Sequence, residues 1–144
     1  MSLPAYQNGP DPSVVCPPCG LCCNYVSVGI DPPSSVERVS TTLWLLYHPD
    51  VSVYQSHEDE WFLLVRSRCR NLAPTGLCGV YENRPFICRD YEVDGCEGTS
   101  DIPAEKVKFD DAKSFLTFVS KWKPRLYGRC LAAGIVPPAF MAAT

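Results

Sequence analysis

This sequence has few histidines and no excess of positive charge. Two of its 144 residues are histidine, and 13 Lys and Arg stand against 16 Asp and Glu, which gives a formal net charge of -3. A chain without a broad basic field does not attract nucleic acids irrespective of their sequence, so nucleic acid is not expected as a partner. Neutral imidazole is a common metal ligand, but His48 and His57 have no partner at ligand spacing. Both are predicted to lie in turns or on the surface.

Long apolar runs are also missing. No stretch approaches the ~18 consecutive apolar residues that a membrane-spanning helix needs. Residues 1–15 have neither the basic start nor the continuous apolar segment of a secretory signal. We therefore expect a soluble, cytoplasmic protein without a membrane partner. The sequence contains no G-x-S-x-G elbow or similar nucleophile motif, so hydrolytic catalysis has no support.

The sequence does have an excess of cysteine, with 9 residues, and of proline, with 14. Disulfides are rare in a reducing compartment, and an odd number of cysteines leaves at least one thiol unpaired in a pure disulfide framework. The clustered cysteines are therefore better interpreted as metal ligands or redox groups.

The length of the chain fits one domain with a modest hydrophobic core. Prolines and a glycine within residues 1–15 predict a loose N-terminal tail, because proline cannot continue regular hydrogen-bonded structure. The domain itself is expected over residues 16–136, followed by a second tail over residues 137–144.

The hydrophobic pattern predicts a small α+β domain that is loop-rich around the cysteines, with a short sheet and two or three helices. Alternation over residues 24–30 predicts one strand. Residues 51–55 and 61–69 predict two more, joined as a hairpin by the polar turn at residues 56–60.

Two helices have recognisable ends. Ser34 and Glu37 have the spacing of a capping box, and the helix that they begin should end near Tyr47, ahead of Pro49. Its predicted core stripe comprises Val36, Val39, Leu43 and Leu46. The last helix is predicted to begin at Asp110 or Asp111, and Pro124 should kink or end it.

The first cysteine cluster has the spacing C-x2-C-x2-C-C and comprises Cys16, Cys19, Cys22 and Cys23. Such spacing lets one loop place several thiolates around one centre. Zinc takes four tetrahedral thiolates, and the same run matches the three-cysteine half of a ferredoxin-like iron–sulfur site. Because Cys22 and Cys23 are adjacent, either they serve two centres or one thiolate bridges two metals.

The second set is spaced too widely for a zinc ribbon and comprises Cys69, Cys78, Cys88 and Cys96. The segment around Cys78 and Cys88 also carries two arginines and two tyrosines. Arg84 and Arg89 are predicted to neutralise thiolate charge through hydrogen bonds to sulfur.

Together these motifs resemble the CxxCxxCC cysteine-cluster family of zinc- or iron-chelating domains, also called YkgJ-type proteins. The run Cys-Pro-Pro-Cys-Gly-Leu-Cys-Cys at residues 16–23 is similar to the family's opening. The family's second half is matched by Cys69, Gly-Leu-Cys-Gly-Val-Tyr-Glu at residues 76–82, Arg84-Pro85 and Cys88-Arg89 with Tyr91. The resemblance implies eight cysteine ligands, Cys16, Cys19, Cys22, Cys23, Cys69, Cys78, Cys88 and Cys96. Arg84, Arg89 and Tyr91, which lie among the matched residues, are predicted to contribute to cofactor binding. The cofactor that it implies is zinc or iron, either as a mononuclear site or as an iron–sulfur cluster.

Two features lie outside these motifs. Cys130, near the end of the last helix, is predicted to be a structural, buried thiol. The basic run at the same end comprises Lys121, Lys123, Arg125 and Arg129. It predicts a solvated face that complements the helix dipole, with contact to an acidic partner as the alternative.

Three functions stay open. The leading one is binding of a metal ion that ties the N-terminal cysteine loop to residues 69–96 and so contributes to folding. The second is a redox or catalytic iron–sulfur protein, or an accessory subunit of a larger enzyme. The third is a zinc-stabilised module that binds a protein partner.

Overall fold

The structure, a computed structural model, describes residues 23–89 and 105–141. The described residues form two compact units. The cysteine-bearing unit comprises residues 23–26 and 66–89, and the sheet-and-helix unit comprises residues 27–65 and 105–141. The tail predicted over residues 1–15 lies outside the described residues and stays a prediction.

A four-stranded sheet confirms the predicted α+β class. Its strands are β1 (Tyr25–Ile30), β2 (Val51–Ser56), β3 (Trp61–Arg66) and β4 (Glu105–Phe109). Their order across the sheet is β1-β3-β2-β4, and β2 is antiparallel to both of its neighbours. The predicted hairpin is therefore present as β2 and β3, with Val51 opposite Val65. Its turn includes Asp59 at a φ of 66°, a left-handed conformation that aspartate tolerates better than most residues.

The prediction that β3 would continue to Cys69 is wrong, because the strand ends at Arg66. Beyond that point the chain still bonds to the segment ahead of β1. Ser67 donates its backbone N–H to the carbonyl of Asn24 at 2.9 Å, and Cys69 donates to the carbonyl of Cys23 at 2.7 Å. Backbone pairing therefore extends from the sheet into the cysteines, although the regular ladder does not.

The helices of the described residues are α1 (Val36–Leu46), α2 (Phe86–Arg89), α3 (Ala112–Trp122), α4 (Pro124–Ala132) and α5 (Pro138–Met141), with a 3-10 turn at Tyr81–Asn83. Three of these, α1, α3 and α4, are longer than a single turn, in agreement with the predicted number of helices. The short helix α5 lies within the segment predicted as a second tail, and that prediction stays open for residues 142–144, which are outside the described residues. Phe140 of α5 is partly buried against the hydrophobic core, which accounts for the order of this segment.

The start of α1 differs from its prediction by one residue. Ser35, in extended conformation, is the N-cap, and its hydroxyl accepts the N–H of Arg38 at 3.2 Å. Ser34 instead donates its hydroxyl to the carbonyl of Pro32 at 3.4 Å. Glu37 is then the second helical residue and cannot complete a capping box, which requires the third position. The predicted end near Tyr47 is confirmed.

The junction between α3 and α4 follows its sequence signals. Asp111 caps α3, because its carboxylate accepts the N–H of Ser114 at 2.8 Å. Pro124 occupies the first position of α4, where its missing N–H costs no helical hydrogen bond. The neighbouring Asp110 carboxylate accepts a 2.5 Å hydrogen bond from the hydroxyl of buried Ser52, which fixes the start of α3 against β2.

The hydrophobic core of the sheet-and-helix unit is formed by α1, the sheet and the pair α3 and α4. Trp61 of β3 is its aromatic centre, with ring centroids 6.3 Å from Phe109, 6.0 Å from Phe118 and 5.7 Å from Trp122. The predicted stripe of α1 enters this core through three buried residues, Val39, Leu43 and Leu46. Among the described residues there is no helix of the length and apolarity required to cross a bilayer.

Candidate metal centre

Four of the eight predicted cysteine ligands lie in the described part of the chain, namely Cys23, Cys69, Cys78 and Cys88. The other four, Cys16, Cys19, Cys22 and Cys96, lie outside it, as does Tyr91. Cys23 and Cys78 are half-buried, whereas Cys69 and Cys88 are exposed.

A short hairpin over residues 69–79 carries Cys69 on one arm and Cys78 on the other. Leu72 forms an antiparallel bridge with Cys78, and the N–H of Ala73 bonds to the carbonyl of Leu77 at 2.8 Å. Gly76 lies at the tip with a φ of 86°, a conformation that glycine adopts without steric cost. The side chains of Leu72 and Leu77 are buried, so the hairpin has a small apolar contact of its own.

Two close backbone contacts hold the cysteine positions in register. The N–H of Gly79 bonds to the carbonyl of Asn71 at 2.7 Å, two residues beyond Cys69. The N–H of Cys69 bonds to the carbonyl of Cys23 at 2.7 Å. The backbones at Cys23 and Cys69 are therefore adjacent, and the hairpin bonds hold the Cys78 arm against the Cys69 arm.

The sulfur of Cys69 accepts a backbone hydrogen bond. The N–H of Asn71 points at its Sγ over 3.4 Å. Thiolate is the form in which cysteine binds a metal. Hydrogen bonds to sulfur are also one of the means by which proteins adjust cysteine-bound metal centres.

Cys88 and the arginines lie on the segment that follows the hairpin. Cys88 belongs to α2, and its N–H bonds to the carbonyl of Pro85 at 3.0 Å. The Arg84 guanidinium donates from Nε to the carbonyl of Tyr81 at 2.8 Å and lies 4.0 Å from the centroid of the same residue's ring. These contacts anchor Arg84 on the turn before Cys88. Its predicted role toward thiolate, and that of Arg89, remain predictions.

The described cysteines could bind a metal through their thiolates only together with further cysteines. Within residues 23–89 and 105–141, no three Cys, His, Asp or Glu side chains form a group that could hold a metal ion. Soft thiolate donors suit zinc and iron–sulfur centres, so the donor type fits. A four-coordinate centre that uses Cys23, Cys69 or Cys78 needs further cysteines from residues 1–22 or 90–104. Both histidines are exposed, as predicted.

Asn71 and Gly79 form backbone contacts beside the predicted ligands Cys69 and Cys78 that the motif spacing did not reveal. Gly79 had a signal in the Gly-Leu-Cys-Gly run, since glycine beside a ligand often marks a close backbone approach. Asn71 contributes its backbone N–H, and a backbone contact cannot be predicted from the type of the residue.

Gly79→Ala is expected to loosen the cysteine hairpin. A Cβ at this position would lie 3.0 Å from the backbone oxygen of Asn71, so the two arms must separate, at a cost of about 1–3 kcal/mol typical of overpacking. The expected result is faster amide exchange at positions 73 and 79, together with weaker metal retention against a chelator.

Gly128→Ala in α4 is the matched control. An added Cβ there has no atom within 4 Å, and alanine favours a helix over glycine by about 0.8–1.0 kcal/mol. The control should therefore be neutral or stabilising. Unchanged hairpin exchange and unchanged metal retention in Gly79→Ala would contradict the proposed close approach.

Cys130 is separate from these cysteines. It lies in α4 with 0% of its surface exposed. Burial raises the pKa of the Cys130 thiol, although the positive charge of Arg129 opposes this shift. Cys130 therefore stays a neutral thiol at physiological pH and packs as a small apolar side chain, in agreement with its predicted structural role.

Alkylation should distinguish Cys130 from the exposed cysteines. In metal-free protein at pH 8, we expect iodoacetamide to modify Cys130 at least about tenfold more slowly than Cys69, because only an accessible thiolate reacts. Peptide mass spectrometry measures both rates in one sample, and denaturant should equalise them. Equal rates without denaturant would show that Cys130 is not held in the core.

Comparison with known proteins agrees with the cysteine pattern. A family model described as "Putative zinc- or iron-chelating domain" matches residues 15–115. No curated protein and no solved structure matches the chain significantly. The match covers well over half of the sequence and includes all eight cysteines of the two clusters. The chain therefore belongs to the CxxCxxCC family.

Proposed function

We propose that this protein binds zinc or iron through cysteine thiolates and that the metal contributes directly to folding. The proposed ligands are drawn from Cys16, Cys19, Cys22, Cys23, Cys69, Cys78, Cys88 and Cys96. The observation that carries the proposal is the Asn71 N–H directed at Cys69 Sγ, in a hairpin whose backbone is bonded to Cys23. Bound zinc would supply a structural site with all four coordination positions filled by protein, whereas an iron–sulfur cluster would supply an electron acceptor.

The small apolar content of the cysteine-bearing unit supports a structural role for the metal. Within its described residues, Leu72 and Leu77 are the buried apolar side chains, with 8% and 4% of their surfaces exposed. Two leucines bury too little surface to offset the conformational entropy of ordering such a segment. A metal that binds only the folded form adds its binding free energy to stability.

Metal analysis of anaerobically purified protein tests this proposal. We expect zinc or iron at a fixed ratio to the chain, and that ratio should fall in Cys69→Ala and in Cys78→Ala. Cys130→Ala is the control, and its metal content should equal that of the parent. Parental metal content in both of the first two variants would overturn the assignment of these ligands.

The visible spectrum of the same samples separates the two metals. Iron–sulfur centres absorb visible light, whereas a zinc site with filled d orbitals is colourless. A coloured protein that loses its colour in Cys69→Ala would favour the redox or accessory role. A colourless protein with bound zinc would favour a closed structural site or an interaction module.

A further inference from the structure

A cleft lined by positive charge lies at the start of α4. It has a volume of about 460 Å³ and is lined by Ser34, Lys123, Pro124, Arg125, Leu126 and Arg129. All six residues belong to the sheet-and-helix unit, and none is a predicted metal ligand. Sites for small molecules commonly have volumes of about 300–1,000 Å³, so the cleft has room for one.

The three cations of the cleft have no acidic partner among the described residues. Residues 112–144 contain five Lys and Arg and no Asp or Glu, in a chain whose net charge is -3. Within the described ranges, Lys123, Arg125 and Arg129 form no ion pair. Lys123 instead places its Nζ 4.7 Å from the centroid of the Trp122 ring. Unbalanced positive charge on a concave surface concentrates anions.

The first turn of α4 adds backbone donors to this charge. Lys123 precedes the helix and provides no side-chain cap, and Pro124 has no N–H. The first helical bond runs from Tyr127 to the carbonyl of Lys123. The N–H groups of Arg125 and Leu126 therefore lie ahead of the helical ladder, at the end of the helix dipole that favours negative charge.

We propose that this cleft binds an organic phosphate of small-molecule size. Guanidinium groups match phosphate oxygens in a bidentate geometry, and the lining of the cleft includes two arginines, Arg125 and Arg129. The Lys123 ammonium supplies a further donor, while Leu126 and Pro124 supply apolar surface for the remainder of the ligand. This binding function goes beyond the thiolate-bound metal, and the volume of the cleft matches that of small-molecule sites.

Phenyl phosphate is a suitable probe, because it joins one phosphate to one apolar ring. Titration into the full-length, metal-loaded protein at constant ionic strength should shift the amide resonances of Arg125 and Leu126. Arg125→Gln combined with Arg129→Gln should weaken binding by about tenfold or more, because a hydrogen bond from a charged donor is stronger than one between neutral groups. Phenol, which lacks the phosphate, should leave the resonances unchanged.

Lys113→Gln combined with Lys121→Gln is the matched control. It removes two positive charges from exposed positions that do not line the cleft, and binding should change by less than about twofold. Arg125→Gln alone serves if the double variant fails to fold. The proposal is overturned if the parent does not bind phenyl phosphate or if both double variants weaken binding equally. It is also overturned if a hexaglutamate peptide binds and phenyl phosphate does not, which would favour an acidic protein segment as the ligand.

Discussion

Removal of the metal is expected to unfold residues 66–89 while the sheet-and-helix unit keeps its fold. A structural thiolate site contributes about 10–16 kcal/mol of apparent binding free energy, as much as the ~5–15 kcal/mol of net stability of a typical domain. The cysteine-bearing unit has two buried leucines among its described residues, whereas the other unit contains a cluster of fourteen buried residues. The loss should therefore be confined to the first unit.

Hydrogen exchange measured with and without a chelator tests this expectation. Peptides from residues 66–89 should lose their protection in the chelated protein, and peptides that contain Val39, Val53 or Phe115 should retain it. Cys69→Ser should reproduce the effect of the chelator without any chelator present. If residues 66–89 stay protected after complete loss of metal, the fold does not need the site, and a redox role becomes the better explanation.

Trp61→Ala is expected to destabilise the sheet-and-helix unit by about 3–5 kcal/mol, the range for removing a large aromatic side chain from a core. Trp61 has 2% of its surface exposed and contacts the rings of Phe109, Phe118 and Trp122. Its removal leaves a cavity between the sheet and α3 that these rings cannot fill without leaving their own contacts. Urea denaturation followed by circular dichroism measures the change.

Trp44→Ala provides the comparison for the same substitution at the surface. Trp44 lies on α1 with 61% of its surface exposed and has an edge-on contact with the ring of His48. Loss of that contact costs about 0.5–1.5 kcal/mol, and the higher helix propensity of alanine offsets part of it. A similar loss in both variants would show that the Trp61 ring is not central to the core.

The sheet-and-helix unit was largely predictable because its signals are local. The apolar stripe of α1, the polar turn between β2 and β3, the cap at Asp111 and the break at Pro124 each act within a few residues. The shift of the α1 cap from Ser34 to Ser35 shows the limit of such signals. Two adjacent serines are equally good caps in sequence, and the backbone hydrogen bonds of the preceding turn decide between them.

The residues of the candidate site were predictable from the sequence, whereas the backbone contacts between them were not. The choice of these cysteines as candidate ligands follows from their spacing, and the chain belongs to a family described as zinc- or iron-chelating. The Cys69–Cys23 backbone bond depends on the register of β1 against β3, and the Asn71 N–H depends on the turn after Cys69. Both are donated by backbone N–H groups, which every residue except proline carries, so neither has a sequence signature. The basic cleft was not predicted from the sequence for a related reason. Its cations have the pattern of an ordinary solvated helix face, and only the fold brings Ser34 next to them.

The pairing of β1 with β3 has a consequence for the speed of metal capture. Cys23 and Cys69 are 46 positions apart, and closing a free loop of that length costs roughly 3 kcal/mol by the (3/2)RT ln n relation. Pairing of the two strands already closes this loop, because β1 begins two residues after Cys23 and β3 ends three residues before Cys69. Metal binding therefore does not bear this entropy loss. Even with the hairpin loosened, the two thiols stay at high effective concentration with respect to each other. If both proposed ligands bind the same ion, an ion bound to one of them would reach the other by a local rearrangement rather than by a search through the unfolded chain.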